Sequence, residues 1–354
     1  MNSSPTSTAD TRSPMTALVT GGNGFLMGAT IRQLLVAEPE ARVVSLDLGP
    51  TDALVHEHLG SLAGRVSFVQ GDVRNRNLLE DIAGSFNFTH VIHAAAVTIN
   101  TGWEIEKPTW YIDVNVMGTV NVVDWARHLP GLQRFTYVSS GAVYGLPTPE
   151  SPHDLQPETG PFNPFELYSI TKYTSELICR RYGELYGMSV VRARPTSVFG
   201  PMERATSARI NLSLPYRMMR AYLEDRPFRV TPNSLAAAGD FVSSEDAAGA
   251  IAALTRASQL PHAVYNVASG RLFGTMEMLE TFRQLAPGFR YQVVDDSLAD
   301  VNLDPTHRQA RWNAYDISNI AKDTGWGPRP LAEQLAGYLA WVRVDPERRC
   351  PPLA

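Results

Sequence analysis

The chain has 354 residues, with 31 lysines and arginines against 36 acidic residues, and the resulting charge of −5 argues against a nucleic-acid or membrane-surface partner. Apolar residues make up 44% and charged residues 19%, which supplies a large core and excludes an intrinsically disordered chain. Cys179 and Cys350, the two cysteines, lie far apart outside any CxxC or Cys/His spacing, so neither a disulfide framework nor a metal site is expected, and a reducing cytoplasm is the default compartment.

From the N-terminus, residues 1–14 are rich in Ser, Thr and Pro without an apolar run, and read as a disordered leader rather than a signal peptide. No stretch reaches the ~18 apolar residues a membrane span needs. Thr16–Thr20 reads as a strand that runs into Gly21-Gly22-Asn23-Gly24-Phe25-Leu26-Met27-Gly28, followed by the helical spacing Ile31, Leu34, Leu35. Glycines suit a tight turn that lets backbone approach a pyrophosphate at a helix N-terminus, which nominates Gly21, Asn23, Gly24, Phe25 and Leu26 as cofactor contacts. Asp47 closes the second strand, Arg42–Leu46. Its carboxylate suits adenosine ribose hydroxyls and repels a 2′-phosphate, and no arginine follows among Leu48, Gly49 and Pro50, so NAD is expected over NADP.

Further strands are expected at Val66–Gln70, His90–His93, Arg134–Ser139, Ser189–Arg194 and Ala263–Val267, with helical patterns between most of them. Strands apolar on both faces imply a parallel sheet with right-handed crossovers. The fold class is therefore α/β: a Rossmann-type doubly wound parallel sheet with a smaller, discontinuous α/β substrate-binding lobe. The NAD-binding domain is expected over 15–201, with 240–268 and about 311–322 returning to it. The lobe takes 202–239, 269–310 and 323–345, and 346–354 is a tail. His56 and His58 read as surface positions rather than a metal site. Met218, Met219, Met276 and Met278 read as packing. Thr98, Trp103 and Thr196 lie on loops after strands, where substrate contact and a structural role weigh equally.

Between the fifth and sixth strands, Asn163-Pro164-Phe165-Glu166-Leu167-Tyr168-Ser169-Ile170-Thr171-Lys172 opens a helix. Asn163 is expected to cap it, with Pro164 in the first turn and Glu166 completing the capping box. Tyr168 and Lys172 are then four apart on one face. A free phenol with a pKa near 10 is a poor base. A cation ~4 Å away at an effective dielectric near 20 is worth roughly 4 kcal/mol, enough to lower that pKa by about three units. Upstream, Ser139-Ser140-Gly141-Ala142-Val143-Tyr144-Gly145 places a hydroxyl at the sheet edge.

Together these residues resemble the extended short-chain dehydrogenase/reductase family, the NAD-dependent epimerase/dehydratase group with its UDP-galactose 4-epimerase-like members. The resemblance runs from about Thr16 to Trp341 and includes Gly71-Asp72-Val73, His93-Ala94-Ala95-Ala96 and Asn115-Val116-Met117-Gly118-Thr119. It continues through Arg194-Pro195-Thr196-Ser197-Val198-Phe199-Gly200-Pro201, Asp240-Phe241-Val242, Tyr265-Asn266-Val267-Ala268-Ser269-Gly270 and Gly325-Trp326-Gly327-Pro328-Arg329. It implies a catalytic set of Ser140, Tyr168 and Lys172, with Asn115 supporting the Lys172 region through water. It also implies cofactor contacts at Asp72, Val73, Ala94, Ala95, Ala96, Pro195, Thr196 and Val198 beside the glycine loop, Asp47, Tyr168 and Lys172. Substrate contacts are expected at Thr98, Ser140, Ser197, Arg204 and Arg209. Family members commonly form homodimers through the Asn115 and Tyr168 helices. Ile170, Leu177, Ile178 and Tyr182, with Val120 and Val123, suit that face or the core equally.

Three departures from the family pattern bear on the reaction. Met27 occupies the third glycine slot, and Gly28 follows it as if one residue were inserted. Gly141 and Ala142 stand where 4,6-dehydratases carry an Asp-Glu pair, which argues against dehydration. Ser197 and Gly239 replace an Asn and an Arg that face the diphosphate side in nucleotide-sugar members, which weighs against a UDP-sugar. Met202–Ser234 nevertheless carries six arginines against three acids, a net +3 in an acidic chain. The leading expectation is an NAD-dependent oxidoreductase acting by hydride transfer at a secondary alcohol or ketone of a sugar-like small molecule, which the arginine-rich stretch allows to be anionic. The alternative is a UDP-hexose 4-epimerase working through a transient 4-keto intermediate. A third reading, a non-catalytic NAD-sensing scaffold, sits poorly with an intact Tyr-x-x-x-Lys pair beside Ser140.

Overall fold

Strands that are apolar on both faces need cover on both faces, and the computed structural model, which describes residues 14–148, 150–151, 155–301 and 313–352, shows how the chain supplies it. Residues 1–13 of the expected leader, 302–312 and 353–354 lie outside the described residues. The seven strands are β1 (Thr16–Thr20), β2 (Arg42–Asp47), β3 (Val66–Gln70), β4 (His90–His93), β5 (Arg134–Val138), β6 (Val190–Pro195) and β7 (Val264–Val267). They form one parallel sheet in the order β7-β6-β5-β4-β1-β2-β3, with ends within one residue of expectation.

The helices that frame it are α1 (Phe25–Ala37), α2 (Arg76–Ser85), α3 (Gly118–Ala126), α4 (Leu167–Tyr186), α5 (Leu214–Leu223), α6 (Ser244–Arg256), α7 (Thr275–Leu285) and α8 (Leu331–Val344). Side chains alternate across each strand. Ala17, Val19, Val43 and Ile92 therefore pack on one face with α1 and α6. Leu18, Val44, Val91 and Phe135 pack on the other with α2 and α3. Each such fully buried Leu, Val, Ile or Phe is worth roughly 1.5–3 kcal/mol. After β3 the chain crosses to β4 on the far side of β1, and this reversal opens a crevice at the carboxyl ends of β1 and β4.

A second core gathers Phe199, Tyr216, Met218, Met219, Phe228 and Phe282 with Leu335 and Tyr338 of α8, so the paired methionines are packing residues. Cys350, assigned to a tail by sequence, is buried in this core as well. His58 is buried against Trp341, with ring centroids 5.5 Å apart, and His56 turns to Phe68. No helix among the described residues is long and apolar enough to cross a membrane.

The start of α4 differs from the sequence expectation. Asn163 does not cap it. Asn163 is held in a bridge with Gly145, its N–H donating to the Tyr144 carbonyl at 2.8 Å, so the backbone stays extended past Pro164. Gly145 has φ of +69°, and a Cβ there would lie 1.7 Å from the Asn163 carbonyl oxygen. The helix begins at Leu167, with Glu166 as N-cap and Ser169 as its capping-box partner; the Ser169 hydroxyl accepts the Glu166 N–H at 3.2 Å.

One turn after Lys172, α4 is tied to β6 by a bidentate buried ion pair: Arg194 donates to the two Glu176 carboxylate oxygens at 2.8 and 2.7 Å. The same guanidinium donates to the Tyr144 hydroxyl at 2.9 Å and lies over the rings of Phe162 and Tyr144. Arg194→Met is expected to cost ~3–5 kcal/mol in urea unfolding, because it strands a buried carboxylate. The double variant Arg194→Met/Glu176→Leu should recover most of that loss. A single variant within about 1 kcal/mol of the wild type would remove this pair as an anchor of α4.

Candidate active site

One cavity of about 860 Å³ runs along the carboxyl edge of the sheet, and every nominated site residue lines it except Asn115. At one end β1 turns through Gly21, whose φ of +72° and close approach to Ala95 (3.1 Å from a Cβ to its nitrogen) leave no room for a side chain. Gly24 is the N-cap of α1 and brings no side-chain cap, so the first turn of the helix faces the cavity without one. Asp47 leaves β2 beside this turn; its carboxylate accepts the Asn23 N–H at 3.0 Å and the Gly49 N–H at 3.2 Å. Ala94 and Ala95 are fixed because both N–H groups donate to the Thr20 hydroxyl at 3.1 Å, while Thr20 also contacts His93. Asp72 is engaged by Arg74, whose hydrogen bonds hold its carboxyl below the usual range, and Val73 is buried beneath Gly118.

Met27, in the displaced glycine slot, is buried in the sheet core, and Gly28 meets the tip of Met202 (3.1 Å from a Cβ to its Cε). Met202 reaches there from a left-handed backbone, φ +67°.

Ser140 caps the turn Gly141–Tyr144, its hydroxyl accepting the Ala142 N–H at 3.1 Å. Tyr168, in the first turn of α4, faces it. Burial pushes the phenol pKa up, a hydrogen bond with Ser140 and the charge of Arg209 pull it back, and Glu166 adds to the rise. Lys172 is buried, its ammonium donating to the Val138 carbonyl at 2.5 Å and lying 4.5 Å from the Tyr137 ring centroid. Burial lowers its pKa to about 8, against Glu176. In the protein alone the net direction for the tyrosine pKa is upward, and the lysine ammonium is bound at the Val138 carbonyl of the strand end.

Asn115 acts from behind. It lies in a π-helical turn, Ile112–Met117, where wide winding frees main-chain groups. Its amide donates to the Thr171 hydroxyl at 3.0 Å and the Val97 carbonyl at 3.1 Å, and its carbonyl accepts the Ser175 hydroxyl at 2.8 Å. Asn115 thereby reaches the turn that carries Lys172 through Thr171.

Across the cleft, the segment after Pro201 forms a roof. The Thr98 N–H and hydroxyl both donate to the Ala208 carbonyl at 2.9 Å, and Asn211 donates to the Ile99 carbonyl. Arg204, nominated for substrate, reaches the glycine loop instead, donating to the Asn23 carbonyl at 3.2 Å and to Asp52 at 2.9 Å. Arg209 lies over the Phe25 ring at 4.9 Å and pairs with the buried Glu203. Thr196 donates to the Asp240 carbonyl, and the strand Ser197–Phe199 pairs with Phe241–Ser243. Asp240 itself accepts N–H groups of Ser269, Gly270 and Tyr315, and burial raises its pKa to about 7. Pro195 and Val198 complete this wall. Trp103 is not on the cavity; it packs edge-on against Trp110, which is. Arg217, one of the six arginines of the basic stretch, and Phe241, of the Asp240-Phe241-Val242 motif, also line the cavity, as does Tyr315, which nothing local in the sequence marks.

A family model described as NAD dependent epimerase/dehydratase matches residues 17–268. A UDP-glucose 4-epimerase of Cyamopsis tetragonoloba is 30% identical, over 88% of this chain and 94% of its own. A UDP-glucuronate 4-epimerase of Thermodesulfobacterium geofontis is 27% identical, over 93% and 97%. Among solved structures, the UDP-glucose 4-epimerase of Bifidobacterium longum in complex with NAD+ and UDP has a similar fold, with a TM-score of 0.76 at 22% identity, covering 94% of this chain and 99% of that one.

Proposed function

The chain belongs to the NAD-dependent epimerase/dehydratase family, and on that premise we propose that it is a nucleotide-sugar 4-epimerase. The observation that carries this reading is the pairing of the Tyr168 and Ser140 hydroxyls over buried Lys172, in the same cavity as the glycine loop. The loop fits a dinucleotide: Gly21 and Gly24 form a cradle that a Cβ would fill, and the N-terminus of α1 is turned toward it. Gly21 to Leu26 would hold the pyrophosphate, Asp47 the adenosine ribose, and Asp72 and Val73 the adenine side. Ala94 to Ala96, Pro195, Thr196 and Val198 would form the walls around the rest.

When bound, NAD supplies a hydride acceptor that becomes the donor in the return step. Tyr168, as the phenolate that the positive charge of Lys172 favours, takes the proton of the sugar 4-hydroxyl as the carbon loses its hydride, and Ser140 holds the oxygen. The same phenol returns the proton after the 4-keto sugar presents its other face, so no net oxidation results. Ala142 is a buried alanine beside Ser140, so elimination lacks a second acid or base there. The lobe built on the second core, over 202–239, 269–310 and 323–345, would carry the substrate, with Thr98, Ser197, Arg204 and Arg209 at the cleft.

Net oxidation or reduction, which the sequence favoured, is less well supported than epimerisation, because curated relatives that span most of the chain include 4-epimerases. Purified protein is expected to interconvert UDP-glucose and UDP-galactose, followed by chromatography of the sugars, without accumulating NADH. Steady NADH formation from either sugar would replace this reading with a net dehydrogenase. A hexuronate is the second reading, since a UDP-glucuronate 4-epimerase is among the relatives that span most of the chain; the same assay with UDP-glucuronate decides it. Homodimerisation is supported by exposed apolar residues on α4 and the π-helical turn, Ile170 (38%), Leu177 (36%) and Met117 (48%). Val123 belongs to the core and Ile178 and Tyr182 pack against it.

A further inference from the structure

The +3 excess of Met202–Ser234 resolves, residue by residue, into ion pairs with one exception. Arg204 pairs with Asp52 at 2.9 Å, Arg209 with Glu203 at 2.7 Å and Arg220 with Glu224 at 2.8 Å. Arg226 and Arg229 share the Asp300 carboxylate at 2.6 and 3.0 Å. Arg217 has no carboxylate partner among the described residues. Its Nη1 donates to the main-chain carbonyl of Asp300 at 3.1 Å and its Nε to that of Leu212 at 3.4 Å. A guanidinium offers five donors in a fixed fork, so these two carbonyls leave three.

This uncompensated cation lines the cavity in the company of Leu212, Leu214, Phe241 and Val301. The neighbouring strand supplies no positive charge here. Gly239 has no side chain, and a Cβ on it would lie 2.9 Å from the Phe241 ring, so the ring holds that space. The glycine loop at β1, which would take the cofactor's own pyrophosphate, is reached instead by Arg204.

We propose that Arg217 binds the diphosphate of the nucleotide-sugar substrate. This rests on the nucleotide-sugar reading above and names the residue that confers it. A half-buried guanidinium held by carbonyl oxygens is oriented without being neutralised, and phosphate oxygens are the partners its planar fork fits best. The contact is the same in ground and transition states, so it acts on KM rather than kcat.

The test is calorimetric titration of the NAD-loaded protein with UDP and, separately, with uridine. Arg217→Ala is expected to weaken UDP binding roughly 10- to 100-fold, the range for one lost charge-assisted hydrogen-bond pair, with uridine binding, NAD content and melting temperature unchanged. Arg217→Lys, which keeps the charge but not the fork, should fall between. UDP affinity equal to wild type in both variants overturns the assignment while leaving the nucleotide-sugar reading standing. Failure of the wild-type protein to bind UDP overturns both.

Discussion

Tyr168→Phe is expected to lower the epimerisation rate roughly 10²- to 10⁴-fold, the usual contribution of a positioned acid–base group. The substitution removes one oxygen and little else. The hydroxyl faces the cavity and Ser140, whereas the helix that carries it is anchored elsewhere, by Glu166 and Ser169 at its start, Asn115 through Thr171 and Ser175, and Arg194 through Glu176. NAD content and melting temperature should therefore match wild type. Single-turnover measurement of the bound cofactor's reduction by the sugar separates the cases. A loss confined to the rate supports the proton role, and a rate within about threefold of wild type would take it away.

Acid should unfold the protein early, for a reason that lies in three histidines. His58, His90 and His93 are buried, and burial lowers their pKa values from 6.5 to about 4, about 4 and about 3, helped by Arg32, Arg134 and Lys172 in turn. His93 is bracketed by the hydroxyls of Thr20 at 2.8 Å and Thr119 at 3.0 Å, which suit a neutral ring. Because the folded values lie below the unfolded one, the unfolded chain binds more protons between pH 6.5 and about 4. Stability is thus complete above that window and is lost as pH falls through it. The first pH unit costs roughly 1 kcal/mol per histidine, and Asp240, protonated in the folded protein below about 7, offsets roughly one of the three, leaving roughly 2 kcal/mol. Urea unfolding across the window should show a net uptake of about two protons, three taken up by the histidines less one released by Asp240, whose folded pKa is about 7, and His58→Gln should remove about one of them. No net uptake in the wild type would mean that these rings are charged in the folded protein.

What could be read from the sequence was what short-range periodicity and steric need determine. The seven strands followed from runs apolar on both faces, and the glycine loop and the four-residue step from Tyr168 to Lys172 followed from backbone geometry. The start of α4 could not be read, since Asn163 is extended only because Gly145 meets it through a tertiary bridge. Nor could the direct reach of Asn115, which needs a π-helical turn. The four-residue spacing could not show that the Lys172 ammonium is held by the Val138 carbonyl, a contact that depends on how α4 packs on the sheet. Arginine partners were the least legible: Asp300, far along the chain, takes Arg226 and Arg229 and leaves Arg217 without a carboxylate among the described residues.

The contact of Met202 with Gly28 has a consequence for anyone redesigning this cleft. The two positions are remote in the chain, yet they are one choice: the methionine tip fills what the missing side chain leaves. A larger residue at 28 must be matched by a shorter one at 202. Met202 is also the first residue of the roof, and two positions later Arg204 crosses to Asn23. Among homologous sequences, positions 28 and 202 should therefore vary together, and a library that randomises the loop with 202 fixed would select against most of its own members.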